Sequence, residues 1–138
     1  MQTKSAARNI FFGGTIFFFV VFAALVAQSH MYILNTSTPP LNDAVVRGKH
    51  VWERHACINC HTILGEGAYY APELGNACKR LGGKEAVKGI IEAYQSAEEP
   101  VRQMPNFGIA GQDLDDLAEF LCWTSKIKTQ NWPPNDAG

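Results

Sequence analysis

The chain has 138 residues, of which 46% are hydrophobic and 18% charged, and its formal net charge is −1. Residues 41–138 contain 10 basic and 13 acidic residues, a net charge of about −3, so this part of the chain is not a nucleic-acid binder. This part is also long enough for only one small domain, which buries little core alone, so a large cofactor is expected to supply much of its interior.

An apolar segment is the first predicted element. No Asp, Glu, Lys or Arg occurs from Asn9 to Asn42, and the run from Ile16 to Ala27 is wholly apolar. About twenty such residues cross the hydrocarbon core of a bilayer. The pattern predicts a cytoplasmic N-terminus over residues 1–9, a transmembrane helix over 10–34, a linker over 35–41 and an outer domain over 42–138.

A cleaved signal peptide is the alternative for this segment. Lys4 and Arg8 form a basic start, and Ala27, Gln28 and Ser29 could provide a cleavage site flanked by small residues. We prefer a retained anchor, because the apolar stretch is longer than an ordinary signal core and continues past that site. The same two cations predict that the N-terminus stays in the cytoplasm and that the rest of the chain is exported.

Three helices are predicted in the outer domain. Asn42 or Asp43 caps the first, which runs towards residue 57. Residues 82–96 carry apolar side chains at three- and four-residue spacing. Residues 112–126 have an acidic first turn and a lysine at the end, as the helix dipole favours. No stretch of residues alternates between apolar and polar side chains as a β-strand does. The predicted fold is therefore all-α, with three to four helices around a cofactor.

The attachment signature of a c-type haem follows the first predicted helix, as Cys57-Ile58-Asn59-Cys60-His61. Each thiol can form a thioether with a haem vinyl group, and His61 then becomes the proximal iron ligand. A thioredoxin-like pair or half of a zinc site also uses C-x-x-C, but neither needs His directly after the second Cys. The signature therefore predicts one covalent haem c, held by Cys57 and Cys60.

Met104 is the predicted distal iron ligand. A lone Met is more often core filling, but the two other methionines lie in or before the apolar segment. His50 and His55 lie just upstream of the haem motif and are not expected to reach the opposite face. Pro105 fixes the backbone beside Met104. His/Met ligation closes both axial positions and raises the reduction potential, which suits electron transfer.

Cys78 and Cys122 are left over once the haem is attached. In an oxidising compartment such a pair can form a disulfide, but we prefer the alternative in which the two are buried free thiols. The sequence does not give the Cα separation that decides between the two.

Further segments carry a more specific pattern than the general haem motif. They are residues 8–14, 44–53, 57–76, Arg102-Gln103-Met104-Pro105 and Gln130-Asn131-Trp132-Pro133-Pro134-Asn135. Together they resemble the cytochrome c subunit of bacterial nitric oxide reductase over nearly the whole chain. The long stretch after His61 is the most specific of them.

The resemblance implies the smaller of two subunits in a complex of the denitrifying respiratory chain. One helix would anchor it among the lipids of the bacterial inner membrane, with the cytochrome c domain (42–138) in the periplasm. A soluble cytochrome c or cupredoxin would donate an electron to the haem c. The electron would pass to a haem b of a large multi-haem catalytic subunit, where two NO are reduced to N₂O. The chain itself would not be an enzyme.

The resemblance also implies a calcium ion at the interface with the large subunit. Gly67, through its backbone carbonyl, and Tyr69 would contribute to it, since calcium prefers oxygen ligands. An ordinary packing turn is the alternative. Two other functions stay open: an anchored cytochrome c of another terminal oxidase, and a haem enzyme or gas sensor, which would need an open iron face.

Overall fold

The computed structural model describes residues 3–37, 39–96 and 104–129. The chain forms two compact units, with the boundary between residues 38 and 39. The described residues are mostly helical, so the predicted all-α class is confirmed. Arg102 and Gln103 of the Met-Pro segment, and the C-terminal segment over residues 130–135, lie outside the described residues.

The first unit is one long helix, α1, over Lys4–Tyr32, followed by a π-helical turn over Ile33–Ser37. The Thr3 hydroxyl caps α1 by accepting the Ala6 N–H at 3.3 Å. By length and composition, α1 is the one helix among the described residues that could cross a membrane. It extends beyond the predicted 10–34 segment at its N-terminal side, and the limits of the spanning part remain a prediction.

The second unit contains four described α-helices and one small hairpin. The helices are α2 (Asp43–Arg54), α3 (Ala77–Leu81), α4 (Lys84–Ser96) and α5 (Gly111–Thr124). The hairpin pairs β1 (Thr62–Ile63) with β2 (Glu66–Gly67) in antiparallel register. Asn42 is the N-cap of α2, and its Oδ1 accepts the Val45 N–H at 2.8 Å.

The N-terminal and C-terminal helices of this unit, α2 and α5, pack directly on each other. A Cβ built on Gly48 of α2 would lie 1.9 Å from the backbone oxygen of Asp116 and 2.8 Å from Phe120 Cβ. Only glycine permits this approach. The core around the crossing consists of Val45, Val51, Trp52, Cys57, Val87, Ile91, Ile109, Leu114, Leu117, Ala118, Phe120 and Leu121.

An ion pair closes one side of the α2–α5 contact. Arg47 donates from Nε to Asp116 Oδ2 at 2.6 Å and from Nη2 to Oδ1 at 3.0 Å. The Asp116 side chain is only 3% exposed. The hydrogen bond from Arg47 outweighs the cost of burial, and a bond from Gln112 assists, so the pKa of Asp116 lies below its ordinary value.

This lowered pKa gives the stability of the domain a defined pH dependence. A carboxylate whose pKa is lower in the folded state stabilises the fold above its ordinary pKa of 3.8, and this contribution is lost as the pH falls through the lowered value. We therefore expect Asp116→Asn to lower the free energy of unfolding at pH 7, and the difference from wild type to shrink below about pH 4. Denaturant titrations across this pH range measure it.

Asp113→Asn is the matched control, because the Asp113 side chain is 52% exposed and pairs with Arg54 at the surface. Surface ion pairs contribute little to stability, so this variant should resemble wild type at each pH. A deficit of Asp116→Asn that stays constant from pH 7 into the acid range would contradict the role of the ionised carboxylate.

Candidate haem-binding site

The two motif cysteines lie on one tight turn. α2 ends at Arg54, and Ala56 adopts a left-handed backbone (φ 50°) that redirects the chain into a 3₁₀ turn over Cys57–Asn59. The carbonyl oxygen of Cys57 accepts from the N–H groups of Cys60, at 3.1 Å, and His61, at 2.9 Å. This turn holds both thiols and the histidine within a single short segment.

Neither motif cysteine is bridged to another cysteine. Burial raises the pKa of the Cys57 thiol to about 11. Reactive pairs of the thioredoxin kind instead need a readily formed thiolate, so the environment of Cys57 does not suit that alternative. A zinc site finds no support among the described residues, where no group of three or more His, Cys, Asp or Glu side chains could hold a metal ion. A thioether carries no charge and tolerates burial.

His61 is oriented by a backbone carbonyl. Its Nδ1 lies 2.8 Å from the carbonyl oxygen of Pro72. Because a carbonyl only accepts, Nδ1 carries the proton and Nε2 keeps its lone pair. A histidine that ligates a metal is usually fixed by such a bond from its other ring nitrogen. The structure thus presents His61 Nε2 as a free ligand beside the two thiols.

The hairpin after His61 is packed tightly against the motif. Leu64 (φ 52°) and Gly65 (φ 83°) both have positive φ, which is the geometry of a two-residue hairpin turn. Gly67 has φ 126°, and a Cβ there would lie 2.3 Å from the His61 carbonyl oxygen. Gly67 is therefore required by the packing, while Tyr69 beyond it is 77% exposed.

Glu73 links the hairpin turn to the segment that carries the Pro72 carbonyl. Its carboxylate accepts the N–H groups of Leu64 (2.8 Å), Gly65 (3.4 Å) and Gly75 (2.7 Å). Burial raises the pKa of Glu73, but these bonds and the Thr62 hydroxyl outweigh it, so the net pKa is lowered. The buried Thr62 hydroxyl has no hydrogen-bond partner among the described residues, so its effect on the pKa of Glu73 is electrostatic.

Met104 is half-buried and packs against the core cluster that also contains Cys57 and Ile109. His55 packs its ring against Phe107, with 5.5 Å between the ring centroids, so it contacts the segment that follows Met104. His50 is exposed and lies 3.2 Å from Glu53 on α2. Ligation by Met104 remains a prediction.

Arg80 offers a buried hydrogen-bond donor that suits the carboxylates of a haem. Arg80 donates from Nη2 to the Glu73 carbonyl oxygen at 2.9 Å. Its Nε is buried and has no hydrogen-bond partner among the described residues. A haem carries two propionates, which are strong acceptors for arginine. The unbridged thiols, the oriented His61 and this donor together match the chemistry of a covalent haem.

Cys78 and Cys122 form a disulfide that joins α3 to α5. Their Cα atoms are 4.8 Å apart, within the range that a disulfide spans. Of the two alternatives left open by the sequence, the pair of free thiols is therefore wrong. The bridge closes a loop with a sequence separation of 44 residues, and this loop contains α4 and Met104.

Removing the disulfide should destabilise the domain. A bridge that closes a loop of this size restricts the unfolded chain, so the double variant Cys78→Ala/Cys122→Ala should lose about 2–4 kcal/mol of unfolding free energy. Denaturant unfolding measures the loss, and reduced wild-type protein should match the variant. Alkylation of both cysteines in the native protein without reductant would show that the bridge is absent in solution.

Sequence reasoning missed two residues that shape this site, Glu73 and Gln95. Glu73 follows a proline and precedes an apolar residue, and no motif marks its three backbone contacts. Gln95 hydrogen-bonds both backbone groups of Ile109. The only signal in the sequence was the position of Gln95 on the same helix face as Val87 and Ile91. A polar residue at such a position does not identify its partner.

Comparison with known proteins supplies the family. The family model described as cytochrome c matches residues 45–125, more than half of the chain. The C subunit of nitric oxide reductase from Paracoccus denitrificans is 50% identical over 147 aligned positions, covering 100% of this chain and 98% of that protein. The proteins of the same name from Cereibacter sphaeroides and Halomonas halodenitrificans are 51% and 50% identical, each covering 99% of this chain and 97% of the relative.

These matches confirm the resemblance found in the sequence and the prediction of a covalent haem c. They extend over the N-terminal apolar segment as well as the haem domain, because the alignments cover essentially the whole chain. The chain is a cytochrome c that belongs to the family of nitric oxide reductase C subunits.

Proposed function

We propose that this chain is the electron-transfer subunit of a nitric oxide reductase complex, with Cys57 and Cys60 bonded to the haem, His61 as proximal ligand and Met104 as distal ligand. The observation that carries the proposal is the 2.8 Å contact between His61 Nδ1 and the Pro72 carbonyl oxygen, which leaves Nε2 free beside two unbridged thiols. The family membership supports the role in nitric oxide reduction.

The haem supplies reversible one-electron chemistry, and the residues around it hold and tune it. The Pro72 carbonyl fixes the His61 ring and increases its basicity. The neutral Met104 thioether favours the reduced iron and so raises the potential. His61 and Met104 would both bind the iron of this haem, so the chain would leave no vacant iron site for NO. The chain therefore moves electrons, and NO is reduced on the partner.

In the proposed route, the electron starts in the periplasm and ends in the membrane. A soluble cytochrome c or cupredoxin reduces the haem, which passes the electron to a haem b of the large subunit. Lys4 and Arg8 support a cytoplasmic N-terminus, with α1 as a single-pass anchor in the inner membrane. The disulfide between Cys78 and Cys122 supports an oxidising compartment for the haem domain.

A calcium ion at the subunit interface is the finer part of the proposal. The Gly67 carbonyl and Tyr69 contribute ligands, and the large subunit supplies the others. Gly67 lies against the His61 carbonyl, so a ligand at this position is held rigidly to the haem motif. The exposed Tyr69 is free to face a partner.

The calcium role predicts a specific loss in the assembled complex. Tyr69→Phe should lower the affinity for calcium at least about tenfold, the effect produced even by losing an outer-shell partner. Calcium retained after mild chelation, measured by elemental analysis of the purified complex, reports it. Tyr94→Phe is the control, because Tyr94 is also an exposed tyrosine, at 53%. Equal calcium retention in both variants would show that the Tyr69 side chain is not a calcium ligand.

The whole function is tested by isolating the chain from its native membrane in mild detergent. We expect it to purify with a large multi-haem subunit, and the complex to consume NO when a reduced soluble cytochrome c is supplied. An oxygen-reducing partner, or a chain that purifies alone with full redox competence, would instead indicate an anchored cytochrome c of another oxidase.

A further inference from the structure

The Gln95 side chain, on the last turn of α4, hydrogen-bonds both backbone groups of one buried residue. Gln95 Nε2 donates to the Ile109 carbonyl oxygen at 3.0 Å, and Gln95 Oε1 accepts the Ile109 N–H at 2.9 Å. Ile109 is 3% exposed, so water does not readily replace these bonds. Buried backbone groups are almost always paired, and here one side chain pairs the two.

Ile109 lies near the end of the segment that begins with Met104. Met104 is half-buried at one end, Ile109 is buried near the other, and residues 105–108 between them are exposed. Asn106 Oδ1 accepts the Gly108 N–H at 2.9 Å, but this bond is local and does not attach the segment to the rest of the domain. The next residue, Ala110, is the N-cap of α5 and provides no side-chain cap.

The Gln95–Ile109 pair therefore attaches this segment to α4. Two hydrogen bonds to the same residue fix both the position and the direction of its backbone. The disulfide ties α3 to α5, and α4 packs Val87 and Ile91 into the same core, so α4 is a rigid support. A ligand is held in place most reliably when its supporting groups are themselves fixed by packing and hydrogen bonds.

We propose that Gln95 is a positioning residue that keeps the Met104 thioether on the haem iron by fixing the backbone of Ile109. The inference rests on the proposed role of Met104 as distal ligand. Gln95 does not touch the iron or the thioether; it limits how far the 104–109 segment can move from the haem. Without the pair, the segment is freer to withdraw, and external ligands compete better for the iron.

The test uses the haem-loaded full chain in detergent with Gln95→Leu, which keeps the size of the side chain and removes both bonds. In the oxidised protein, we expect the pH at which the Met-to-iron charge-transfer band disappears to fall by about one unit, a tenfold change in the equilibrium. In the reduced protein, we expect CO to bind about tenfold more tightly, since Met104 competes less well.

Two further variants make the result specific. Gln95→Glu keeps an acceptor for the Ile109 N–H but sets a carboxylate oxygen against the Ile109 carbonyl oxygen. It should therefore shift the band and CO binding in the same direction as Gln95→Leu, and it serves as the second variant if Gln95→Leu does not fold. Gln112→Leu is the matched control: Gln112 is a helical glutamine whose amide donates at 2.9 Å to the Asp116 side chain on its own helix, and not to residues 104–109. It should leave the band and CO binding unchanged.

The outcomes separate the inference from the ligand assignment. If Gln95→Leu, or Gln95→Glu in its place, lowers the denaturation midpoint but leaves the band and CO binding as in wild type, Gln95 is merely structural and the proposal is overturned. If Met104→Ala removes the band while the Gln95 variants retain it, only the positioning role fails. If Met104→Ala itself retains the band, the distal ligand has been assigned wrongly.

Discussion

Gly48→Ala is expected to destabilise the haem domain strongly. The added methyl would lie 1.9 Å from the backbone oxygen of Asp116, and a backbone atom of a packed helix cannot move aside as a flexible side chain can. α2 and α5 would have to separate, and the Arg47–Asp116 pair would separate with them. We expect a loss of about 4 kcal/mol or more, which only a few kinds of substitution produce. Denaturant or thermal unfolding of the haem-loaded chain measures it.

Gly89→Ala is the matched control on α4. A Cβ at Gly89 would meet nothing within 4 Å, and alanine favours helix over glycine by up to about 1 kcal/mol. This variant should be as stable as wild type or slightly more so. If Gly48→Ala were to behave like Gly89→Ala, the close approach of α2 and α5 would not exist in solution.

Met104→Ala is expected to open the distal face of the haem and lower the reduction potential. Axial ligands set haem potentials over roughly 0.8 V. Loss of a thioether that favours reduced iron should lower the potential by a sizeable part of that range. The oxidised protein should lose the Met-to-iron charge-transfer band, and the reduced protein should bind CO rapidly. Redox titration and absorption spectroscopy record both effects.

Met31→Ala controls for the loss of a methionine as such, because Met31 lies on α1 and is 57% exposed. It should retain the wild-type spectrum and potential. An unchanged spectrum and potential in Met104→Ala would show that Met104 does not ligate the iron. That face of the haem would then carry another ligand or stay open, as in a gas sensor.

Local signals made much of this fold predictable. The Asn42 cap, the haem motif and the apolar spacing of the later helices depend only on neighbouring residues. The predicted helix over 82–96 is observed as α4, except that Gly82 (φ 94°) and Gly83 (φ 122°) adopt left-handed backbones and separate it from α3. α3 and the two-residue strands are too short to show a period, so they were not predicted.

Contacts between residues far apart in sequence could not be predicted from the sequence alone. The motif predicts His61 as a ligand, but nothing in it identifies the Pro72 carbonyl, 11 residues away, as the group that orients the ring. The Gln95–Ile109 pair and the disulfide likewise depend on how helices pack. A pattern of residue types names the ligands, whereas the fold determines which groups support them.

The contact between α2 and α5 also restricts the order in which the domain can form. Arg47 and Asp116 are separated by 69 residues, so α2 has no helix to pack against until nearly the whole chain has been synthesised. Bringing together residues this distant in sequence costs loop-closure entropy before their contacts can stabilise the domain. The two thiols that follow α2 therefore lie on a chain that α5 has not yet closed, where thioether formation would meet the least steric hindrance.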